Sequence, residues 1–285
     1  MKHQTFQNAL KAESPLQIIG TINAYAAKMA EKTGFQAIYL SGAGCANASY
    51  GLPDLAMTSL DNVLEDVRRI TSATSVPLLV DMDTGWGSEL NISRSVSQLI
   101  KAGAAAAHIE DQQFVKRCGH RDGKKIVEIV EMVARIQAAV AGKTDPDFYL
   151  IARTDAMASE GLSAVIHRAQ AYLAAGADAI FAEAFYSLDD YKKLSAEINA
   201  PILANMTEFG KTPLFTVEEL KSAGVNMVLY PLSAFRAMNQ AALNVFQTIR
   251  NNGTQAEVIH QMQDRKTLYE FLDYERFEKI IDGKQ

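Results

Sequence analysis

A (β/α)8 barrel, the closed α/β fold also called a TIM barrel, is predicted for this chain by three observations. Short apolar runs rich in β-branched residues recur eight times, segments of helical periodicity lie between them, and glycines stand where a helix must stop just before the next run. Near-continuous apolar strands alternating with amphipathic helices point to a parallel sheet covered by helices, and eight repeats suggest closure. An open doubly wound sheet is the alternative.

The runs are Gln17–Thr21, Ala37–Leu40, Pro77–Val80, Ala106–Ile109, Phe148–Ala152, Ala179–Ala182, Pro201–Ala204 and Met227–Tyr230. Between the second and third, Leu60, Val63, Leu64, Val67 and Ile70 repeat at helical spacing, as do Ile129, Val130, Val133, Ile136 and Val140 between the fourth and fifth. Gly34, Gly103, Gly176 and Gly224 mark helix ends ahead of runs two, four, six and eight. After the last run come helical segments around Ala234–Arg250, Ala256–Gln263 and Arg265–Asp273, more than closure requires. The chain therefore reads as one barrel domain over 1–285 that includes a helical extension from about 251.

Composition narrows the function. Lys and Arg total 28 against 33 Asp and Glu, a net charge of −5 that gives nucleic-acid binding no electrostatic support. A 48% hydrophobic share with 21% charged residues is that of a globular chain, so folding is expected. The amino terminus has no apolar core of signal-peptide length and no apolar stretch could span a bilayer, so the expectation is a cytoplasmic protein with no membrane partner. Cys45 and Cys118 are too few for a disulfide framework and lack metal-site spacing.

Barrel enzymes carry their chemistry in the loops after the strands, and here those positions are polar: Ser41-Gly42-Ala43, Asp81-Met82-Asp83, Glu110-Asp111, Arg153-Thr154-Asp155, Glu183, Asn205-Met206-Thr207, and Pro231-Leu232-Ser233 with Arg236 a turn later. Asp111 or Asp155 alone reads as a turn or capping residue. Asp81 and Asp83, two apart in an extended segment, would point the same way, and two such carboxylates suit a hard divalent cation such as Mg²⁺ unless they merely form turn bonds. Glu110 and Glu183 would bound the same cavity, with no His or Cys there to favour zinc. Opposite them, Arg153, Arg236, Lys116, Arg117 and His120 suit a small anion with several carboxyl groups. The loop from Gln112 to Lys125, with Gly119 and Gly123, fits a mobile lid. Within it Cys118 stands among basic residues that can tune a thiol for proton transfer, although a solvated basic loop with an incidental cysteine is the plainer reading.

Taken in order, Ser41-Gly42, Gly51-Leu52-Pro53-Asp54, Asp81-Met82-Asp83-Thr84-Gly85, Lys116-Arg117-Cys118-Gly119-His120, Ala152-Arg153-Thr154-Asp155, Asn205-Met206-Thr207-Glu208, the stretch 231–239 and Arg265 resemble the isocitrate lyase and phosphoenolpyruvate mutase superfamily over nearly the whole chain. The resemblance implies a Mg²⁺-dependent carbon–carbon lyase, with Mn²⁺ able to substitute, that cleaves 2-methylisocitrate to pyruvate and succinate in the methylcitrate cycle of propionate catabolism. It implies Asp81 and Asp83 as metal ligands, with Asp54 and Glu110 supporting the metal's waters. Substrate contacts would come from Ser41, Gly42, Ala43, Gly119, His120, Arg153, Glu183, Asn205, Thr207, Arg236 and Arg265. Cys118 matches the catalytic acid and also a substrate contact. Tyr39 is the candidate base, although an inward tyrosine is as often packing with a hydrogen bond. Phe181 and Leu229 are the candidate wall around the substrate methyl, by resemblance and by strand position. The family usually reads Ser-Gly-Gly where this chain has Ala43 third. A homotetramer, a dimer of dimers with an exchanged helix after strand eight, is also implied. Isocitrate lyase proper, with Lys-Lys-Cys-Gly-His and large insertions, relatives acting on oxaloacetate or phosphonopyruvate, and a non-catalytic barrel used as a binding module remain the alternatives.

Overall fold

All eight apolar runs form strands in the computed structural model, which describes residues 4–114, 116, 119 and 123–283. The strands are β1 (Leu16–Gly20), β2 (Ala37–Leu40), β3 (Leu78–Asp81), β4 (Ala106–Glu110), β5 (Tyr149–Thr154), β6 (Ala179–Ala182), β7 (Ile202–Asn205) and β8 (Met227–Tyr230). Each pairs in parallel with the next, and β8 returns to β1 with Ile18 opposite Leu229, so the sheet is a closed barrel. The open alternative is thereby excluded. β3 and β7 begin one residue after Pro77 and Pro201, which lack the N–H a ladder needs.

Two apolar layers hold this arrangement. Side chains including Ile18, Tyr39, Leu79, Ile151, Phe181 and Leu203 fill the barrel, while Ile38, Leu64, Val80, Leu99, Ile109 and Ile136 pack between sheet and helices. The helices α4 (Leu60–Thr71) and α6 (Ile129–Ala141) cover the predicted periodic stretches. The short α1 (Phe6–Ala12) was not legible in the sequence. Phe6 and Ala9 are wholly buried, with the Phe6 ring 5.2 Å from that of Tyr149 at the start of β5, so α1 stoppers the barrel at the end away from the polar loops. Its sequence is too short for periodicity to reveal.

Past β8, α11 (Ser233–Asn252) is followed by a 3₁₀ turn (Ala256–Gln261), α12 (Arg265–Leu272) and α13 (Tyr274–Ile281). The extension touches the barrel through α2 (Ala24–Lys32): the Tyr25 ring meets Phe271 edge-on at 6.2 Å and Lys32 pairs with Asp273 at 3.1 Å. None of α11, α12 or α13 contains a buried residue, and Phe246, Ile280 and Ile281 are 65–84% exposed. Among the described residues no helix is long and apolar enough to cross a membrane.

Candidate active site

Polar groups gather where the strands end, because strand carboxyl ends leave the apolar interior. A cavity of about 70 Å³ lies there, lined by Tyr39, Ser41, Ala43, Asp54, Asp81, Lys116, Gly119, Arg153, Phe181, Glu183, Asn205, Thr207, Leu229 and Arg236. Most residues singled out in the sequence thus meet in one place, while Asp83 lines another pocket with Thr84 and Trp86, and Gly42 and Glu110 are not in the lining. Arg265 is absent from it too: it stands at the start of α12 and lines a separate groove between α12 and α13. Cys118 and His120, with Arg117, lie outside the described residues.

The acidic side is built on Asp81, the last residue of β3, and Asp83. Only Asp81 is in the strand; Asp83 has a left-handed backbone, φ +48°, so the two carboxylates do not converge by strand alternation as the sequence suggested. A local turn brings them together, with the Asp83 N–H donating to Asp81 Oδ1 at 3.0 Å. Both sit over Gly42, where a Cβ would lie 3.0 Å from Asp83 Oδ1 and 3.1 Å from Asp81 Oδ2. Gly42 also donates its N–H to Asp81 Oδ2 at 3.1 Å. It opens α3 (Gly42–Tyr50), whose Ncap Ser41 accepts from the Gly44 N–H at 3.2 Å. The Ser41-Gly42-Ala43 stretch is therefore a helix start, a place suited to anions.

Two neighbours of these carboxylates change the reading. Lys116 Nζ lies 2.7 Å from Asp54 and 2.6 Å from Asp83, so it belongs to the acidic side and not with the anion-binding cations. His108, in the middle of β4, puts Nε2 3.5 Å from Asp81 Oδ1 and 2.9 Å from the Tyr39 hydroxyl, which itself lies 3.3 Å from Asp81 Oδ2. The expectation that no histidine stands here is thus wrong. His108 and Glu110 are two apart on β4 and share its inward face, the alternation that would have revealed the histidine.

Burial governs the protonation of the cluster. It lowers His108 to about 4, so the ring is neutral, and it raises Glu110 well above the carboxylate range. Asp83 is pushed up to about 7 by burial and by Asp81, against the pull of Lys116. For Asp81, burial is outweighed by His108 in its charged form, present only in acid, and by Lys116 and Arg153, which hold it below its usual value. The Tyr39 hydroxyl is raised well above its usual value by burial and by Asp81. Lys116 stays charged because Asp83, Asp81, Glu110 and Asp54 outweigh its burial.

These residues fit a hard divalent cation. The donors are carboxylate oxygens, the ammonium of Lys116 already bridges Asp54 and Asp83 as a cation would, and Glu110 Oε1 is buried with no hydrogen-bond partner among the described residues. Among the described residues no three Asp, Glu, His or Cys side chains close on one point.

Arg153 organises the opposite side. Its Nε is 2.9 Å from Asp155 and 3.2 Å from Glu110, its Nη2 is 3.8 Å from Glu183, and its guanidinium lies 5.1 Å from the centre of the Phe181 ring. Asn205, the last residue of β7, donates to Glu183 at 3.2 Å. Arg236 on α11 is part-exposed, 3.5 Å from Glu208 and over the Phe209 ring. Asp155 therefore pairs with Arg153 instead of capping a turn. Asp111 accepts from Thr154, Tyr172 and the Asp155 N–H, tying β4 to β5. Phe181 and Leu229 are each 1% exposed and supply the cavity's apolar wall.

Comparison with known proteins agrees with this architecture. The family model described as phosphoenolpyruvate phosphomutase matches residues 6–250. A 2-methylisocitrate lyase of Shewanella oneidensis is 61% identical over 277 residues, 97% of this chain and 95% of that protein, and one of Escherichia coli is 57% identical over 281 residues, 98% and 95%. Among solved structures, oxaloacetate acetylhydrolase in complex with 3,3-difluorooxalacetate superposes with a TM-score of 0.90 at 32% identity, covering 98% of this chain and 95% of that one. A 2,3-dimethylmalate lyase, described as a member of the PEP mutase/isocitrate lyase superfamily, gives 0.89 at 30% identity, covering 98% and 94%. With its barrel closed, its polar groups gathered at one end and a family model matching most of its length, the chain belongs to the phosphoenolpyruvate phosphomutase family.

Proposed function

We propose that the chain is a metal-dependent lyase that cleaves 2-methylisocitrate to pyruvate and succinate. The observation that carries this reading is a single cavity with Asp54 and Asp81 on one side, Arg153 and Arg236 on the other and the apolar pair Phe181 and Leu229 beside them, with Asp83 bonded to Asp81 behind the lining. The relatives of that name, identical at more than half of their positions over nearly the whole chain, support it.

Asp81 and Asp83 would hold Mg²⁺, for which Mn²⁺ can stand in, with Asp54 and Glu110 near enough to bind its waters. When bound, the ion supplies electrostatic stabilisation of an alkoxide and adjacent carboxylate. The chain's own residues do the rest. Arg153, Asn205, Thr207 and Arg236, with the α3 start at Ser41, Gly42 and Ala43, hold the substrate carboxylates, and Glu183 fixes Asn205 and Arg153. The tertiary hydroxyl gives up its proton, the C2–C3 bond breaks, and pyruvate leaves as its ketone. The electron pair passes to the succinate carbon, which Cys118 protonates, beside Gly119 and His120. Tyr39 is the proposed base, its hydroxyl 2.9 Å from Nε2 of the neutral His108 ring and 3.3 Å from Asp81 Oδ2. Phe181 and Leu229 accept the substrate methyl.

The working unit is proposed to be cytoplasmic, one barrel domain per chain over 1–285, assembled as a dimer of dimers with its C-terminal helices exchanged. Such an assembly gives Arg265 a route to a neighbouring copy's substrate, since within one chain it lines another groove. Purified protein incubated with 2-methylisocitrate should release pyruvate and succinate in equal amounts, stop on chelation and resume with Mg²⁺. Unchanged turnover by exhaustively metal-free protein would remove Asp81 and Asp83 from the reading.

A further inference from the structure

Lys124 was given no role in the sequence, yet its side chain is 5% exposed and reaches the edge of the site. Its Nζ donates to the Gly119 carbonyl at 2.5 Å and pairs with Asp155 Oδ1 at 2.8 Å. Burying an ammonium is costly unless it is paired, so its two contacts among the described residues call for an explanation. Asp155 is wholly buried and is also held by Arg153, through Nε at 2.9 Å and Nη2 at 3.2 Å, while Glu110 and Glu183 draw on the same guanidinium. Three carboxylates thus compete for one arginine. Gly119 is seated in the same spot: a Cβ on it would fall 2.2 Å from Glu183 Oε1 and 2.5 Å from Arg153 Nη2, so only glycine permits this approach.

We infer that Lys124 is a positioning residue that locks the Gly119 backbone against Arg153 and Glu183 and, by sharing Asp155, weakens that carboxylate's hold on Arg153 so that a substrate carboxylate can compete for it. One ammonium couples the seating of the loop to the readiness of the arginine. The inference rests on the lyase reading for its kinetic consequence but not for the seating itself. Arg153 acts on substrate directly; Lys124 acts through Gly119 and Asp155.

The test uses Lys124→Met, which keeps the length and removes the charge, and Gly119→Ala, which unseats the same segment by steric contact with Lys124 intact. Circular dichroism and the Mg²⁺ response of Trp86, the chain's single tryptophan, should match wild type in both. Each should lower kcat with 2-methylisocitrate by about 10²-fold, with a smaller change in KM. Because both act on one seat, the double variant should lose no more than the worse single one. Alkylation of Cys118 in the ligand-free protein, resolved from buried Cys45 by peptide mass, should quicken about tenfold in each variant as the adjacent residue lifts. Wild-type kcat and alkylation rate in a folded Lys124→Met protein, or multiplied losses in the double variant, would overturn the inference. Wild-type protein that leaves 2-methylisocitrate intact would count against the lyase reading alone, because the alkylation measurement needs no substrate.

Discussion

At the scale of single residues, the Tyr39 hydroxyl, Asp81 and Asp83 stand in one hydrogen-bonded cluster. Asp83→Asn removes the charge of a proposed metal ligand while keeping the shape, so Mg²⁺ should no longer alter the emission of Trp86, three positions along the same turn; an unchanged Mg²⁺ titration would show that Asp83 is not a ligand. Cys118→Ser should fold and bind substrate, yet single-turnover cleavage should fall by ~10²–10⁴-fold because a hydroxyl is a far weaker acid than a thiol. Near-wild-type single-turnover cleavage would take Cys118 out of the chemistry. Ser41, Asp81, Arg153, Glu183 and Asn205 were legible in the sequence because each follows an apolar run directly, and strand ends converge in any closed barrel. His108 was not, since a histidine inside a run of small residues reads as strand filler until its register with Glu110 is considered. Lys116 was legible as a cation but not on the acidic side, because its partners Asp54 and Asp83 are distant in sequence.

Whole elements carry a different lesson. The strands were found within a residue or two because parallel strands buried on both faces leave a simple apolar signature. α1 escaped notice, since seven residues give too little periodicity and its worth lies in one deep contact. Replacing Phe6 with Ala should cost ~3–5 kcal/mol, seen as a lower urea midpoint at unchanged m-value; a shift of a few tenths would mean that the stopper bears no weight. The extension poses the opposite case. α13 repeats its apolar positions at helical spacing, yet Phe277, Ile280 and Ile281 stay 57–84% exposed, a surface that a lone chain has no use for. Light scattering at micromolar concentration should give the mass of a tetramer, and Phe277→Glu should lower it. A wild-type monomer would refute the exchanged-helix assembly.

For the molecule as a whole, barrel and site are proposed to serve one chemical distinction. The closed sheet fixes carboxylates and arginines around a small apolar wall, and that wall is the proposed selector between a methyl and a hydrogen on the carbon bearing the hydroxyl. One methyl in such a pocket is worth ~1–3 kcal/mol, so discrimination should be clear but not absolute. The sequence could place Phe181 and Leu229 at strand ends but could not show that both face the cavity, which depends on the register of β6 and β8 around the barrel. The most direct measurement supplies equal concentrations of 2-methylisocitrate and isocitrate to the Mg²⁺-loaded protein and scores pyruvate against glyoxylate. Pyruvate should exceed glyoxylate by roughly 10–100-fold, the ratio expected of one accommodated methyl. Glyoxylate in excess, or neither product, would contradict the account.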